Sequence, residues 1–214
     1  DQATAASIAA LKAEPNLIGM RSVNYWQARG VNDANTFDPY FIKNDLFTNS
    51  GIWSVYEGSD DILRAYVDDA VSKGGWALRT FHGVEDTSWE MVPLTRYQGH
   101  LDYVKALVDE GKLWVAGASD IIRYGMSRRS CSLQTDAQYD GSLVVSFDLS
   151  DPQCQKYLAD DTELTLVINT DQDVQGLTAR YTSSNGVPVV TGLTAKQFRV
   201  NVKPSAGNVV LAAN

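Results

Sequence analysis

The chain has 214 residues, 44% of them hydrophobic, a formal charge of -8 at pH 7 and a pI near 4.7. That length suffices for one large domain or two small ones with a sizeable core. The acidic balance argues against nucleic acid and anionic membrane surfaces as partners, because both call for a basic face. No apolar run approaches the roughly 20 residues that span a bilayer.

The first residue is Asp1, and no charged stretch followed by an apolar one comes after it. The chain therefore reads as processed, truncated or cut from something longer. Residues 3–13 form an Ala-rich helical pattern ended by Pro15, and Leu17 to Val23 is a strand candidate. Residues 24–59 carry little periodicity and read as long loops with short elements. Asp60-Asp61 opens a helix whose apolar residues Ile62, Leu63, Tyr66, Val67, Ala70 and Val71 recur at helical spacing, and Lys73-Gly74-Gly75 closes it.

Gly74 to Val84 then reads as a short apolar strand that ends on His82, with Gly83 behind it. Residues 94–110 predict a second amphipathic helix, with Leu94, Tyr97, Leu101, Val104, Leu107 and Val108 on one face. Leu113-Trp114-Val115 predicts a short buried strand, and Ser119 to Met126 a third helix. Strand, helix, strand, helix is the order of a parallel α/β layer.

Beyond Arg129 helical patterns stop. Segments 143–149, 163–169, 177–181, 198–202 and 208–211 alternate at period two. Turn signals at 139–141, 185–186 and 204–207 separate them. This predicts a small antiparallel β-sandwich over 130–214, after an α/β domain over 1–129. Cys131 and Cys154 either pair or stand as two independent buried thiols, and the composition, rich in Trp, Tyr and polar turns, suits a secreted enzyme with a disulfide.

His82 is the prime candidate for chemistry, because α/β enzymes place working groups in loops beyond the carboxyl ends of parallel strands. The chain has only two histidines. His100 falls inside a helix pattern that accounts for it structurally. Trp89, in the loop after His82, could stack on a sugar ring. Glu85-Asp86 reads as a solvated pair, Trp76 and Trp114 as buried strand residues, and Trp26 and Trp53 as core or interface. Tyr139, Tyr157 and Tyr181 read as exposed. Gly-x-Ser-x-Gly is absent, which removes the usual serine nucleophile elbow.

The run Gly74-Gly-Trp-Ala-Leu-Arg-Thr-Phe-His82-Gly-Val resembles the last catalytic motif of NodB-type polysaccharide deacetylases, a carbohydrate esterase family. The likeness continues through Pro93-Leu-Thr, His100-Leu-Asp-Tyr-Val, Lys112-Leu-Trp-Val-Ala and Ile121-Ile-Arg-Tyr124, and backwards to Tyr25-Trp-Gln-Ala-Arg29-Gly30. It covers residues 15–128. It implies a distorted (β/α) barrel, here its C-terminal part, followed by the sandwich. It also implies hydrolysis of N- or O-acetyl groups on a sugar polymer, with a divalent ion, usually zinc. His82 would be the general acid, and Arg29 would orient a catalytic carboxylate or face sugar hydroxyls.

One departure limits this. The family's catalytic Asp and Asp-His-His metal set lie in the first half of the barrel, and no H-[ST]-x-x-H occurs here. The resemblance therefore implies a secreted or periplasmic enzyme completed by an N-terminal half, on a separate or nicked chain. This chain alone should hold no metal and hydrolyse nothing. The alternative is a non-catalytic carbohydrate-binding or scaffold protein with a degenerate barrel.

Overall fold

A computed structural model of the chain describes residues 4–22, 28–47 and 49–214. Tyr25, Trp26 and Gln27 lie outside the described residues. The chain divides into two compact units, Asp1–Ser119 and Asp120–Asn214. The division falls within the first turn of the helix that precedes the disulfide.

In the first unit, helix α1 (Ala5–Ala13) starts at Thr4, whose hydroxyl accepts from the Ser7 amide at 3.1 Å. No residue of α1 is buried. Five of its nine residues are alanine, and its larger apolar residues, Ile8 and Leu11, are only half-buried. Three parallel segments follow. Met20–Ser22 runs beside Ile42, with Ser22 N–H donating to Ile42 O at 2.8 Å and Ile42 N–H to Met20 O at 3.3 Å. Strand β1 (Asp45–Leu46) pairs in parallel with β2 (Arg79–Thr80), in register Asp45 to Arg79 and Leu46 to Thr80. Of the strand expected over Leu17–Val23 the described part, residues 17–22, forms one bridge at Arg21, and the expected Gly74–Val84 strand keeps the two residues of β2 with single bridges at Trp76 and Val84. Among the described residues these segments do not close into a barrel.

A parallel pair needs a crossover, and helix α2 (Ile62–Lys73) supplies it. Asp61 caps its start by accepting from the amides of Leu63 and Arg64 at 3.0 and 3.3 Å. Gly74 ends it at φ 57°, a left-handed backbone that a side chain would strain. Ile62, Leu63, Tyr66, Val67 and Ala70 are buried, at the spacing of one helical face. Ile62 and Leu63 join Phe47 and Val92 in a core flanked by Tyr56, Phe81, Val84 and Tyr97.

The layer is pinned at β1–β2 by a buried ion pair. Asp45 is fully buried and the Arg79 side chain is 8% exposed, with Nη1 to Oδ2 at 2.9 Å. Asp45 also accepts from Ser54 Oγ at 2.7 Å and from the Val55 amide at 3.2 Å. Arg79 donates to the Ile62 carbonyl at 3.0 Å and stacks over the Tyr66 ring at 4.6 Å. Burial lowers the guanidinium's pKa from its ordinary value, and the Asp45 charge opposes that shift. An arginine stays charged in such a site. Burial also pushes the Tyr66 phenol up, so its hydroxyl stays neutral against the Gly30 and Leu78 carbonyls and accepts from Leu78 N–H.

Helix α3 (Leu94–Asp109) forms where expected, but none of its residues is buried. Tyr97 meets Phe81 edge-on at 5.4 Å, while Leu94, Leu101 and Val108 stay exposed. The buried strand expected at Leu113-Trp114-Val115 does not form: the segment is coil, and Trp114 is 56% exposed. An apolar strand is stable only with a ladder partner, and among the described residues the segment joins none of the sheets. Trp76 is buried as expected, packed edge-on against Phe37.

The second unit begins within helix α4 (Ala118–Ser130), longer than the sequence pattern implies, with Ile122, Gly125 and Ser127 buried. Two antiparallel sheets follow. One has the order β3 (Ser132–Ala137), β4 (Leu143–Asp148), β9 (Val209–Ala213), β6 (Leu177–Tyr181). The other has β5 (Leu164–Asn169), β8 (Gln197–Val202), β7 (Val189–Thr194). Val145, Ala179, Tyr181, Val209 and Leu211 of the first share a core with Leu164, Val200 and Val202 of the second. Strands β3 and β7 and helix α5 (Pro152–Tyr157) were not marked by periodicity. Every residue of β3 is exposed, so it is held by its ladder with β4 rather than by burial. Tyr139 is exposed, but Tyr157 and Tyr181 are buried, against expectation. Tyr157 closes the buried face of α5, and the Tyr181 hydroxyl accepts from Lys203 N–H at 2.7 Å.

Cys131 and Cys154 form a disulfide that ties the end of α4 to α5 across 23 positions. Closing a loop of that length restricts the unfolded chain by about 3 kcal/mol. Replacing both cysteines by serine should lower the stability of the second unit by that amount, read as a shift in its denaturant midpoint; an unchanged midpoint would count against it.

For the Asp45–Arg79 pair, Arg79→Met or Asp45→Asn leaves one buried charge uncompensated and should cost about 3–5 kcal/mol. The double variant should recover part of that loss in chemical denaturation of the same chain. Strict additivity of the two single losses would contradict charge compensation as the cause.

Candidate functional site

The alternation of β2 sorts its neighbours. Arg79 turns to α2, and Phe81 packs on Phe47, Tyr97 and His100 at ring distances of 5.5, 5.4 and 6.3 Å. Thr80 takes a different set of partners: it donates to Asn44 Oδ1 at 3.2 Å and accepts from Arg21 Nη1 at 3.2 Å. Asn44 in turn donates to the Ser22 carbonyl at 2.9 Å. One hydrogen-bonded polar row therefore crosses all three parallel segments. His82 follows Thr80 by two residues, past the carboxyl end of β2, and is exposed.

The chain turns back at once behind His82. Gly83 has no room for a Cβ, which would strike the Asp86 carboxylate and the Ser88 hydroxyl. Asp86 is pinned there because it accepts from the Ser88 amide at 2.9 Å and from the Ser88 hydroxyl. Those two bonds hold its carboxyl below the usual carboxylate range. The loop closes at its base, with Glu85 N–H donating to Val92 O at 3.1 Å and Val92 N–H to Gly83 O at 3.0 Å. Glu85 Oε2 accepts from the Leu94 amide at 2.8 Å and so caps α3, a task Pro93 cannot perform with its side chain. Glu90 Oε2 accepts from the Ser50 amide at 2.9 Å. Both glutamates hold left-handed backbone, φ 50° and 53°, at a cost of order 1–3 kcal/mol each.

Two of the three expected site residues meet. The rings of His82 and Trp89 lie 5.1 Å apart at 88°, an edge-to-face contact. Arg29 is half-buried and donates from Nη1 to the Trp53 carbonyl at 3.2 Å, on the loop that also brings Ser54 to Asp45. Asp45, Asn44, Thr80 and Arg21 were not singled out from the sequence. The available signal was Arg79, a charge inside an apolar strand pattern, which needs a buried partner. Glu85 and Asp86 are exposed as expected, yet both have definite tasks in the loop.

Among the described residues no group of three His, Cys, Asp or Glu side chains converges as a metal-ligand set. Compared with protein-family models, with curated proteins and with solved structures, the chain matches none.

His100 sits behind the site on α3, and its Nδ1 is buried with no hydrogen-bond partner among the described residues. Burial, and then the Arg79 charge, push its pKa below the ordinary 6.5, while Asp61 opposes them. The folded state therefore resists protonation more than the unfolded chain does. Its contribution is fully present above about 6.5 and is lost as pH falls toward the lower folded value. The first unit should lose stability as pH falls below about 6.5, and His100→Phe should flatten that dependence; a His100→Phe protein with the same acid sensitivity would show that another group is responsible.

Proposed function

We propose that this chain is the C-terminal part of a metal-dependent polysaccharide deacetylase, secreted or periplasmic. It would act on N- or O-acetyl groups of a sugar polymer once completed by an N-terminal half. The observation that carries the reading is His82: an exposed imidazole just past the carboxyl end of a parallel strand, in the sequence context of the deacetylase motif. The disulfide is compatible with an oxidising compartment. Among the described residues no helix is long and apolar enough to cross a membrane.

Hydrolysis breaks the bond from the acetyl carbon to the sugar nitrogen or oxygen, and that departing atom needs a proton. An imidazole suits the transfer because it gains and loses a proton near neutral pH. His82 holds that proton and gives it to the departing group. Arg29, which donates to the Trp53 carbonyl on the loop that contacts Asp45, would serve sugar hydroxyls or a carboxylate from the completing half. The ion implied by the family would have to be held by side chains outside this chain.

Exposed Trp89 and Trp114 favour a second reading, a non-catalytic glycan binder. Replacing His82 by Ala in the completed enzyme should reduce turnover by about 10²- to 10⁴-fold with metal content unchanged. A near-wild-type rate would remove His82 from the reaction. Binding of an acetylated oligosaccharide with no turnover in the wild type would favour the binder.

A further inference from the structure

We infer that Trp89 is a positioning residue that fixes the imidazole of His82, a role that rests on the deacetylase reading of that histidine. Among the described residues the His82 ring makes no hydrogen bond, and its only ring contact is the indole, 5.1 Å away at 88°. A proton donor must be held within hydrogen-bond reach of the departing atom, and most catalytic histidines are oriented by a second polar group. Here an edge-to-face ring contact takes that place. Trp89 is 54% exposed, so burial does not account for where it lies. The loop accounts for it.

That loop is closed at its base by the Val84–Val92 bridge. It is tied to α3 through Glu85 and to Ser50 through Glu90. Its first turn is locked by Asp86 and Ser88 against Gly83. Glu90, next to Trp89, keeps a left-handed backbone at φ 53°. A loop fastened on both sides of an exposed indole delivers that indole to one place, and the place is the His82 ring. With the indole there, the imidazole loses rotamer freedom on that side and stays open to solvent elsewhere. This differs from a sugar platform, whose removal would weaken binding and leave the bound complex to react normally.

The chain contains two histidines, which makes the test direct. In the intact chain, the imidazole carbon-bound protons of His82 should carry a ring-current shift in an NMR spectrum. Trp89→Ala should abolish it and Trp89→Phe retain part of it, while the His100 signal stays in place as the control for folding. In the completed enzyme, Trp89→Ala should lower kcat by about ten- to a hundredfold with KM within about threefold, and Trp89→Phe should restore most of the rate. An unmoved His82 signal in Trp89→Ala, or a raised KM with kcat unchanged, would overturn the role. A wild-type enzyme without turnover would overturn the deacetylase reading by itself, and the ring shifts would still decide whether Trp89 sets the imidazole.

Discussion

The buried pair of Asp45 and Arg79 is the constraint on which the first unit depends. Two-residue strands carry too few ladder bonds to fix their own register. Between β1 and β2 only two residue pairs are in register. The ion pair joins the partners of one of those rungs, so a slip by one residue would separate a carboxylate and a guanidinium in a dry site. The penalty for that separation, several kcal/mol, exceeds what one lost ladder bond costs. Register is therefore specified by charge. Ser54, the Val55 amide, the Ile62 carbonyl and Tyr66 add partners to the two charges and tie β1 and β2 to α2 and the 51–56 loop, while Arg79 Nε stays buried without a hydrogen-bond partner among the described residues.

That register decides what lies at the end of β2. Arg79 and Phe81 commit the helix side of the strand to an ion pair and an aromatic cluster. Thr80 is left to the polar row of Arg21, Asn44 and Ser22, and His82 emerges past it. The second unit is built differently. It has strands of five and six residues, long ladders and one apolar core shared by two sheets. Its register follows from alternation, because one face of each central strand must be buried.

This contrast explains what could be read from the residues alone. Helix α2 was legible in full, since Asp61, the apolar face and Gly74 state its start, side and end in local terms. Strands β4, β5, β6, β8 and β9 were legible because alternation is also local. The disulfide was left open by spacing and is settled by the approach of α4 to α5. Strand β3 was not legible, because a strand exposed along its whole length carries no apolar signal. The segment at Trp114 failed for the converse reason: its apolar run states a preference for burial, but pairing is a long-range fact. Within the candidate site, motif and position single out His82 and Trp89. The polar row and the ion pair could not, because Asn44, Asp45, Arg79 and Thr80 are joined across more than thirty positions of sequence.

The loop after His82 shows how a site can be rigid without being buried. Local stability ordinarily falls with exposure, and residues 85–87 are exposed. Three acidic side chains offset this, each spent on backbone or neighbouring hydroxyl groups rather than on cations. Glu85 satisfies the first amide of α3, Glu90 satisfies Ser50, and Asp86 closes the turn over Gly83. Charge-assisted bonds of this kind are stronger than neutral ones. They also account for two non-glycine residues in left-handed backbone, a conformation that persists only where surrounding bonds over-determine it. A packed core could hold a histidine still, but only by removing it from substrate. An acid-clamped loop holds the neighbouring indole and leaves the imidazole in solvent, which is the condition that the proposed proton donor would have to meet.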